Sequence, residues 1–147
     1  MEIPGTVSAL LSAKNRSMSF IGPSDTVYAA IELMAAENIG ALPVVEGGKL
    51  LGMFSERDYT RKVILQGRTS KNTPVSEIMT RDPKSARPDD SIGDCMRVMT
   101  EARVRHLPVL EGDSLVGILS IGDLVKWIIS SQNATIDQLT KYIFGEA

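Results

Sequence analysis

The chain writes one pattern twice. Leu42-Pro43-Val44 and Leu107-Pro108-Val109 stand 65 positions apart, and the same offset pairs Glu46 with Glu111, Gly52 with Gly117, Ser55 with Ser120 and Asp58 with Asp123. Upstream it pairs Pro23 with Pro88, Asp25 with Asp90 and Met34 with Met99, and the register runs from Pro23 to Ile64 without a gap. This period exceeds the roughly 20–50 residues of solenoid and propeller repeats, so it describes a duplicated subdomain rather than an array. A unit of ~60 residues buries only about 60% of its unfolded surface and is marginal alone. Two units sharing one core are therefore expected within the 147 residues.

Each copy predicts the same elements. Val27, Ala30, Ile31 and Met34 recur at helical spacing behind Ser24 and Asp25 as candidate caps, and Ile92, Cys95, Met96 and Met99 repeat the stripe. "ALPVVEGGKLLGMFS" and "HLPVLEGDSLVGILS" read as hairpins closed by Glu-Gly-Gly and Glu-Gly-Asp. A second helix starts at each Ser-x-x-Asp and runs to about Ile64 or Ile129, with Gly67 a C-cap in the first copy. Short strands, "MSFI" and "PKSA", and short helical runs, "TVSALLSAK" and "PVSEIMT", precede each copy. The helical runs match at an offset of 68, Val7 with Val75, so the gapless register stops before them. The fold class is α/β (α+β), with a β-α-β-β-α unit in each repeat. Repeat 1 covers 7–66, a polar linker 67–74, repeat 2 75–131 and a helical tail 132–147, where Ile136, Leu139 and Ile143 recur at helical spacing.

Composition removes several classes of function. A net charge of −2 gives no basic footprint for nucleic acid. The single cysteine, Cys95, permits no internal disulfide and lies on an apolar helical stripe, as a core thiol does. No stretch is long enough to span a membrane and the N-terminus does not read as a signal peptide, so a cytoplasmic location is expected. There is no G-x-x-x-x-G-K-[ST] and no G-x-G-x-x-G. One histidine, His106, and one cysteine make no zinc site of ordinary composition, and no serine stands in a nucleophile elbow. The chain is not expected to be an enzyme.

The two Ser-x-x-Asp motifs carry what chemistry there is. The commonest role of that spacing is a capping box. Here both follow a hairpin as Gly-x-x-Ser-x-x-Asp and set a hydroxyl, backbone N–H groups and a carboxylate at a helix start. The N–H groups suit a phosphate, and the carboxylate suits ribose hydroxyls. Arg103, Arg105 and His106 precede the second hairpin, Arg57, Arg61 and Lys62 follow the first, and Lys84 and Arg87 flank the second short strand. Any one of these basic residues is more commonly a solvated surface group, but arginine binds phosphate as a planar fork.

The duplicated Leu-Pro-Val…Gly-x-x-Ser-x-x-Asp, from about Val7 to Ser131, resembles a tandem pair of CBS domains, or Bateman module. The linker region resembles stand-alone CBS-pair proteins of bacteria and plant organelles. The resemblance implies β-α-β-β-α repeats packed about a pseudo-twofold axis, with two clefts that bind regulatory adenosine ligands: AMP, ADP, ATP, S-adenosylmethionine or NAD(H). It puts Asp123 or Asp58 on the ribose, and Ser120 or Ser55 near ribose and phosphate. It puts Arg105 and His106 toward phosphate, and backbone of Lys84, Ser85 and Ala86 and of Ser19, Phe20 and Ile21 toward adenine. Ile39, Gly40 and Ala41 are expected to join the Asp123 site, and Arg57 and Arg103 complete the ligand set. The first repeat has Gly40 and Ala41 where the second has Arg105 and His106, so the two sites should differ in affinity or ligand. The expected function is a nucleotide sensor signalling to a partner, with a ligand-independent dimerisation or interaction scaffold as the alternative. A homodimer is expected through the helices at 58–66 and 123–131, the second of which is apolar around Trp127.

Overall fold

The computed structural model describes residues 3–14 and 17–144, with side chains described as far as residue 132. Each repeat centres on a hairpin. In the first, β1 (Ala41–Glu46) pairs antiparallel with β2 (Lys49–Ser55); Gly47 and Gly48 both have positive φ, the pattern of a type I′ turn. The second hairpin, β4 (His106–Glu111) with β5 (Ser114–Ser120), has the same register and a bulge at the equivalent position, Val109/Leu110 against Val44/Val45. The hairpins join edge to edge in the order β1-β2-β5-β4 through one pair, Lys49 opposite Ser114. These two residues are the same position of the two repeats, so the pseudo-twofold axis passes between them.

The opening strands are shorter than the sequence predicts. "MSFI" and "PKSA" reduce to single parallel bridges, Ile21 to Val44 and Ala86 to Val109. The caps also differ. Thr26, rather than Ser24 or Asp25, receives the Ala29 N–H and starts α2 (Val27–Glu37), while Asp25 accepts from Gly22. Ser91 caps α4 (Ile92–Ala102) in the same way, and Asp90 accepts from Arg87. Both helices end on a left-handed residue, Asn38 or Arg103.

The apolar residues form two clusters, and segments preceding each repeat cross between them. Val7 and Leu10 of α1 (Val7–Ala13) pack with Ile92, Met99, Leu107, Leu119 and Leu124 of the second repeat. Val75, Ile78 and Met79 pack with Val27, Leu42, Phe54 and Val63 of the first. Backbone hydrogen bonds fix the exchange symmetrically: Val7 N–H donates to the Asp90 carbonyl and Ser8 to Pro88, as Val75 donates to Asp25 and Ser76 to Pro23. Two marginal units are thus completed by each other's leading segment, where sequence order alone predicted one shared core. Cys95 is a core thiol, and burial, with Asp90 and Asp94 nearby, pushes its pKa up to about 11.

The helices after the hairpins differ. In the first repeat a single α-turn, α3 (Glu56–Asp58), continues as a π-helix over Tyr59–Ile64. Gly67, at φ +69°, follows this helix and donates its N–H back to Ile64, as a capping glycine does. In the second repeat α5 (Ile121–Phe144) is unbroken, so the helix does not end near Ile129 as expected; the side chains of Ile136, Leu139 and Ile143 lie outside the described ones. Trp127 is half-buried. Its Nε1–H donates to the Pro4 carbonyl at 2.8 Å, and the indole leaves no room for a Cβ at Gly5. The N-terminal segment therefore covers part of the apolar face that the sequence left open. Among the described residues, no helix is long and apolar enough to cross a membrane.

Candidate functional site

A cleft of about 240 Å³ opens between the repeats beside the second Ser-x-x-Asp. Ser120 and Asp123 form one wall, His106 stands at the start of β4, and the first repeat supplies Ser19, Ile39 and Ala41. These six are brought together from the predicted set. Gly40 lies alongside, since a Cβ there would meet the His106 ring at 3.6 Å.

The site is built by the hairpin running straight into α5. Asp123 N–H donates to Ser120 Oγ at 3.0 Å, and Ser120 N–H donates to Asp123 Oδ2 at 2.9 Å. This reciprocal pairing satisfies helix-start donors and aims the carboxylate into the cleft. The residue that completes it is one that sequence reasoning passed over. Lys14, at the end of α1, sends Nζ to Asp123 Oδ2 at 2.7 Å and to the Ile118 carbonyl at 2.9 Å. Nothing in the local sequence marks Lys14, because its role follows from α1 crossing to the second repeat.

The electrostatics follow from this arrangement. Burial pushes the Asp123 carboxyl up, but hydrogen bonds from Lys14 and Ser120 outweigh it and hold the group below its ordinary value. Burial pushes the His106 imidazole below 6.5; Asp123 pulls it back up, and Lys14 and Arg105 push it down again. The net result is a neutral imidazole at pH 7, facing a paired carboxylate and ammonium.

The twin motif is arranged differently. Asp58 Oδ2 accepts from Ser55 N–H at 3.0 Å and Ser55 Oγ at 3.1 Å. Its Oδ1 accepts from Thr80 Oγ1 at 3.2 Å and pairs with Lys62 Nζ at 3.1 Å. The Asp58 side chain is 10% exposed, against 23% for Asp123. The second repeat has Trp127 at the position of Lys62, which is why its carboxylate takes a lysine from outside the motif.

The remaining predicted residues do not line the Asp123 cleft. Arg57 donates from its guanidinium to the Arg103 carbonyl at 3.2 Å, tying the two repeats together, and Arg103 is the left-handed cap of α4. Arg105 lies just before β4 rather than in it; its side chain is exposed and its carbonyl accepts from Ile121. Of the segments expected to face adenine, only Ser19 reaches this cleft. Phe20 is exposed, Ile21 and Ala86 are buried as strand bridges, and Lys84 and Ser85 are exposed beside Ala86.

Comparison with known proteins agrees with this architecture. The CBS domain family model matches residues 13–64 and 75–130. The mitochondrial CBS domain-containing protein CBSX3 of Arabidopsis thaliana is 38% identical over 95% of this chain and 72% of its own length. A solved protein with CBS domains from Burkholderia ambifaria superposes with a TM-score of 0.82 at 50% identity, over 87% of this chain and 96% of its own. CBSX2, solved in complex with AMP, superposes with a TM-score of 0.67 at 28% identity, over 78% of this chain and 90% of its own. Two matched repeats, their pseudo-twofold sheet and the exchanged leading segments identify the chain as a member of the CBS-domain family, a tandem CBS pair of the regulatory type.

Proposed function

We propose that the chain is a sensor that binds an adenine nucleotide, AMP, ATP or NAD(H), in the Asp123 cleft and passes its occupancy to a partner. The carrying observation is the Asp123 carboxylate: anchored by Ser120 and Lys14 through Oδ2, it accepts no hydrogen bond on Oδ1 from the described residues. A ribose hydroxyl donates well to such an oxygen. His106 offers a ring nitrogen across the cleft, and Lys14 Nζ supplies positive charge for phosphate. The AMP held by CBSX2 supports the choice of ligand class. Catalysis forms no part of this reading.

Calorimetric titration with AMP, ATP and NADH tests it. Binding of at least one is expected, with Asp123→Ala weakening it by about 1–3 kcal/mol, the scale of a hydrogen bond to a charged group. Thermal unfolding of the same variant separates this from the loss of a cap, which costs ~1 kcal/mol of stability. No binding of any of the three would leave the scaffold.

The alternative, a ligand-independent dimerisation or interaction scaffold, has an observation of its own. Ile64 and Leu65 after the first hairpin, and Val125 and Ile129 after the second, are exposed apolar residues on helices related by the pseudo-twofold axis. Homodimerisation through these helices is the association they support.

A further inference from the structure

The two Ser-x-x-Asp carboxylates are equivalent in sequence but not in what they have left to offer. An ionised carboxylate has about four lone-pair sites. At Asp58 all four are taken, by Ser55 N–H, Ser55 Oγ, Thr80 Oγ1 and Lys62 Nζ. At Asp123 the described residues supply fewer partners: Ser120 N–H and Lys14 Nζ, both on Oδ2, and the Ser120 hydroxyl, with nothing in the place of Thr80.

The backbone repeats the contrast independently. Thr80–Arg81 forms a short strand, β3, that pairs antiparallel with β2 at Gly52 and Met53. The fit is so close that a Cβ at Gly52 would lie 2.6 Å from the Thr80 carbonyl oxygen. β3 is what brings the Thr80 hydroxyl to Asp58. The counterpart of Gly52 is Gly117, which lines the Asp123 cleft and where the nearest atoms to a Cβ would be those of the Leu11 side chain, at 2.9 Å, rather than backbone. Leu11 of the helix α1 stands there, where Met79 and Thr80 stand against Gly52, and no strand among the described residues pairs with β5 at that point. A helix presents side chains, which leave a cleft; a paired strand presents backbone, which fills it.

We propose that each chain takes one nucleotide, in the Asp123 cleft, and that Asp58 is a structural pin holding β3, Lys62 and the helix start together, with its own cleft closed. This rests on the nucleotide-sensing reading above and deepens it by assigning the stoichiometry and the site. A ligand at Asp58 would have to displace both Thr80 and Lys62 before a ribose hydroxyl could donate, and would have to unzip β3 from β2 to enter.

Titration of the unmutated protein with AMP, ATP and NADH in separate runs reads the stoichiometry, and Asp58→Asn and Asp123→Asn assign the site. One equivalent per chain is expected, weakened about tenfold or more by Asp123→Asn and changed less than about twofold by Asp58→Asn, since only the first change takes the charge from an oxygen the ligand uses and sets an NH2 donor beside it. Two equivalents per chain would overturn the inference and leave the sensor reading standing. So would one equivalent lost in Asp58→Asn and kept in Asp123→Asn. Binding of none of the three would remove the sensor reading and the inference with it. If Asp58→Asn does not fold, the stoichiometry of the unmutated chain and the Asp123→Asn titration still decide.

Discussion

Lys14 and Asp123 are 109 positions apart in sequence and 2.7 Å apart in the fold. Their counterpart, Lys62 with Asp58, is an i,i+4 pair on one short helix. The same motif therefore has its charge balanced by tertiary contact in one repeat and by helical periodicity in the other. Both partners of the Lys14–Asp123 pair are about one-quarter exposed, so solvent screens it less than a surface pair.

Replacing Lys14 with methionine keeps the length of the side chain and removes the charge. It leaves the Asp123 carboxylate and the Ile118 carbonyl short of a donor. The expected loss is roughly 1–3 kcal/mol of unfolding free energy, the penalty for a half-buried group deprived of its partner. Urea denaturation at pH 7 measures it, and a change below a few tenths of a kcal/mol would show that the pair contributes nothing.

Acid should destabilise the protein in two stages, and both signs follow from the site. His106 has a folded pKa below 6.5, so the unfolded chain binds its proton first; that contribution is fully present above about pH 6.5 and is lost as pH falls toward the folded value. Asp123 has a folded pKa below the ordinary carboxylate value, so its contribution is present above about pH 4 and is lost as pH falls through the lowered folded value. Melting temperature should be level between about pH 7 and 8 and decline below that range; above about pH 9 the raised Cys95 pKa lowers it again, because the unfolded thiol ionises first. In His106→Gln the decline between about pH 6.5 and 5 should shrink. An unchanged profile in that variant would remove His106 as the cause.

Gly5 has φ +106°, and a Cβ there would fall 2.5 Å from the Trp127 ring. Gly5→Ala should therefore cost about 1–3 kcal/mol through backbone strain. It should also lift the N-terminal segment off the indole. Trp127 is the only tryptophan, so its emission should shift to the red in the native state. Native emission identical to that of the parent protein would mean that the cover over Trp127 is intact.

The homodimer prediction changes its probe. Trp127 is tied to Pro4 of its own chain, so a charge there reports on the N-terminal segment as much as on an interface. Val125 and Ile129 on α5 are 43% and 52% exposed and carry no such contact. Light scattering of the unmutated protein should give twice the chain mass. The double variant Val125→Glu, Ile129→Glu should fall to the monomer with little loss of thermal stability. A parent protein that is monomeric at micromolar concentration would count against the dimer itself.

How much of this was written in the sequence depends on the range of the interaction. The 65-residue register, the two hairpins, their glycine turns and the Ser-x-x-Asp boxes are local patterns, and each appears where its residues predict it. The cap of the first repeat's helix shifted by one or two positions, to Thr26, because Asp25 is used to close the preceding turn; Ser91 and Asp90 divide the same two tasks in the second repeat. The same offset sets Trp127 opposite Lys62, a difference that sequence reasoning passed over.

What the tertiary structure alone decided is which segment completes which repeat. The offset of 68 at Val7 and Val75 showed that the leading segments depart from the register, but not that each crosses to the other core. Pairing across the axis is fixed by hydrogen bonds to the carbonyls of Pro23, Asp25, Pro88 and Asp90, each in the other half of the chain from its donor. From that crossing come the lysine on Asp123, the strand that seals Asp58 and the half-cover over Trp127. Periodicity and spacing report contacts within a few residues. A cleft between repeats is made of contacts a hundred residues apart, and their partners are chosen by burial and hydrogen-bond satisfaction in the whole fold.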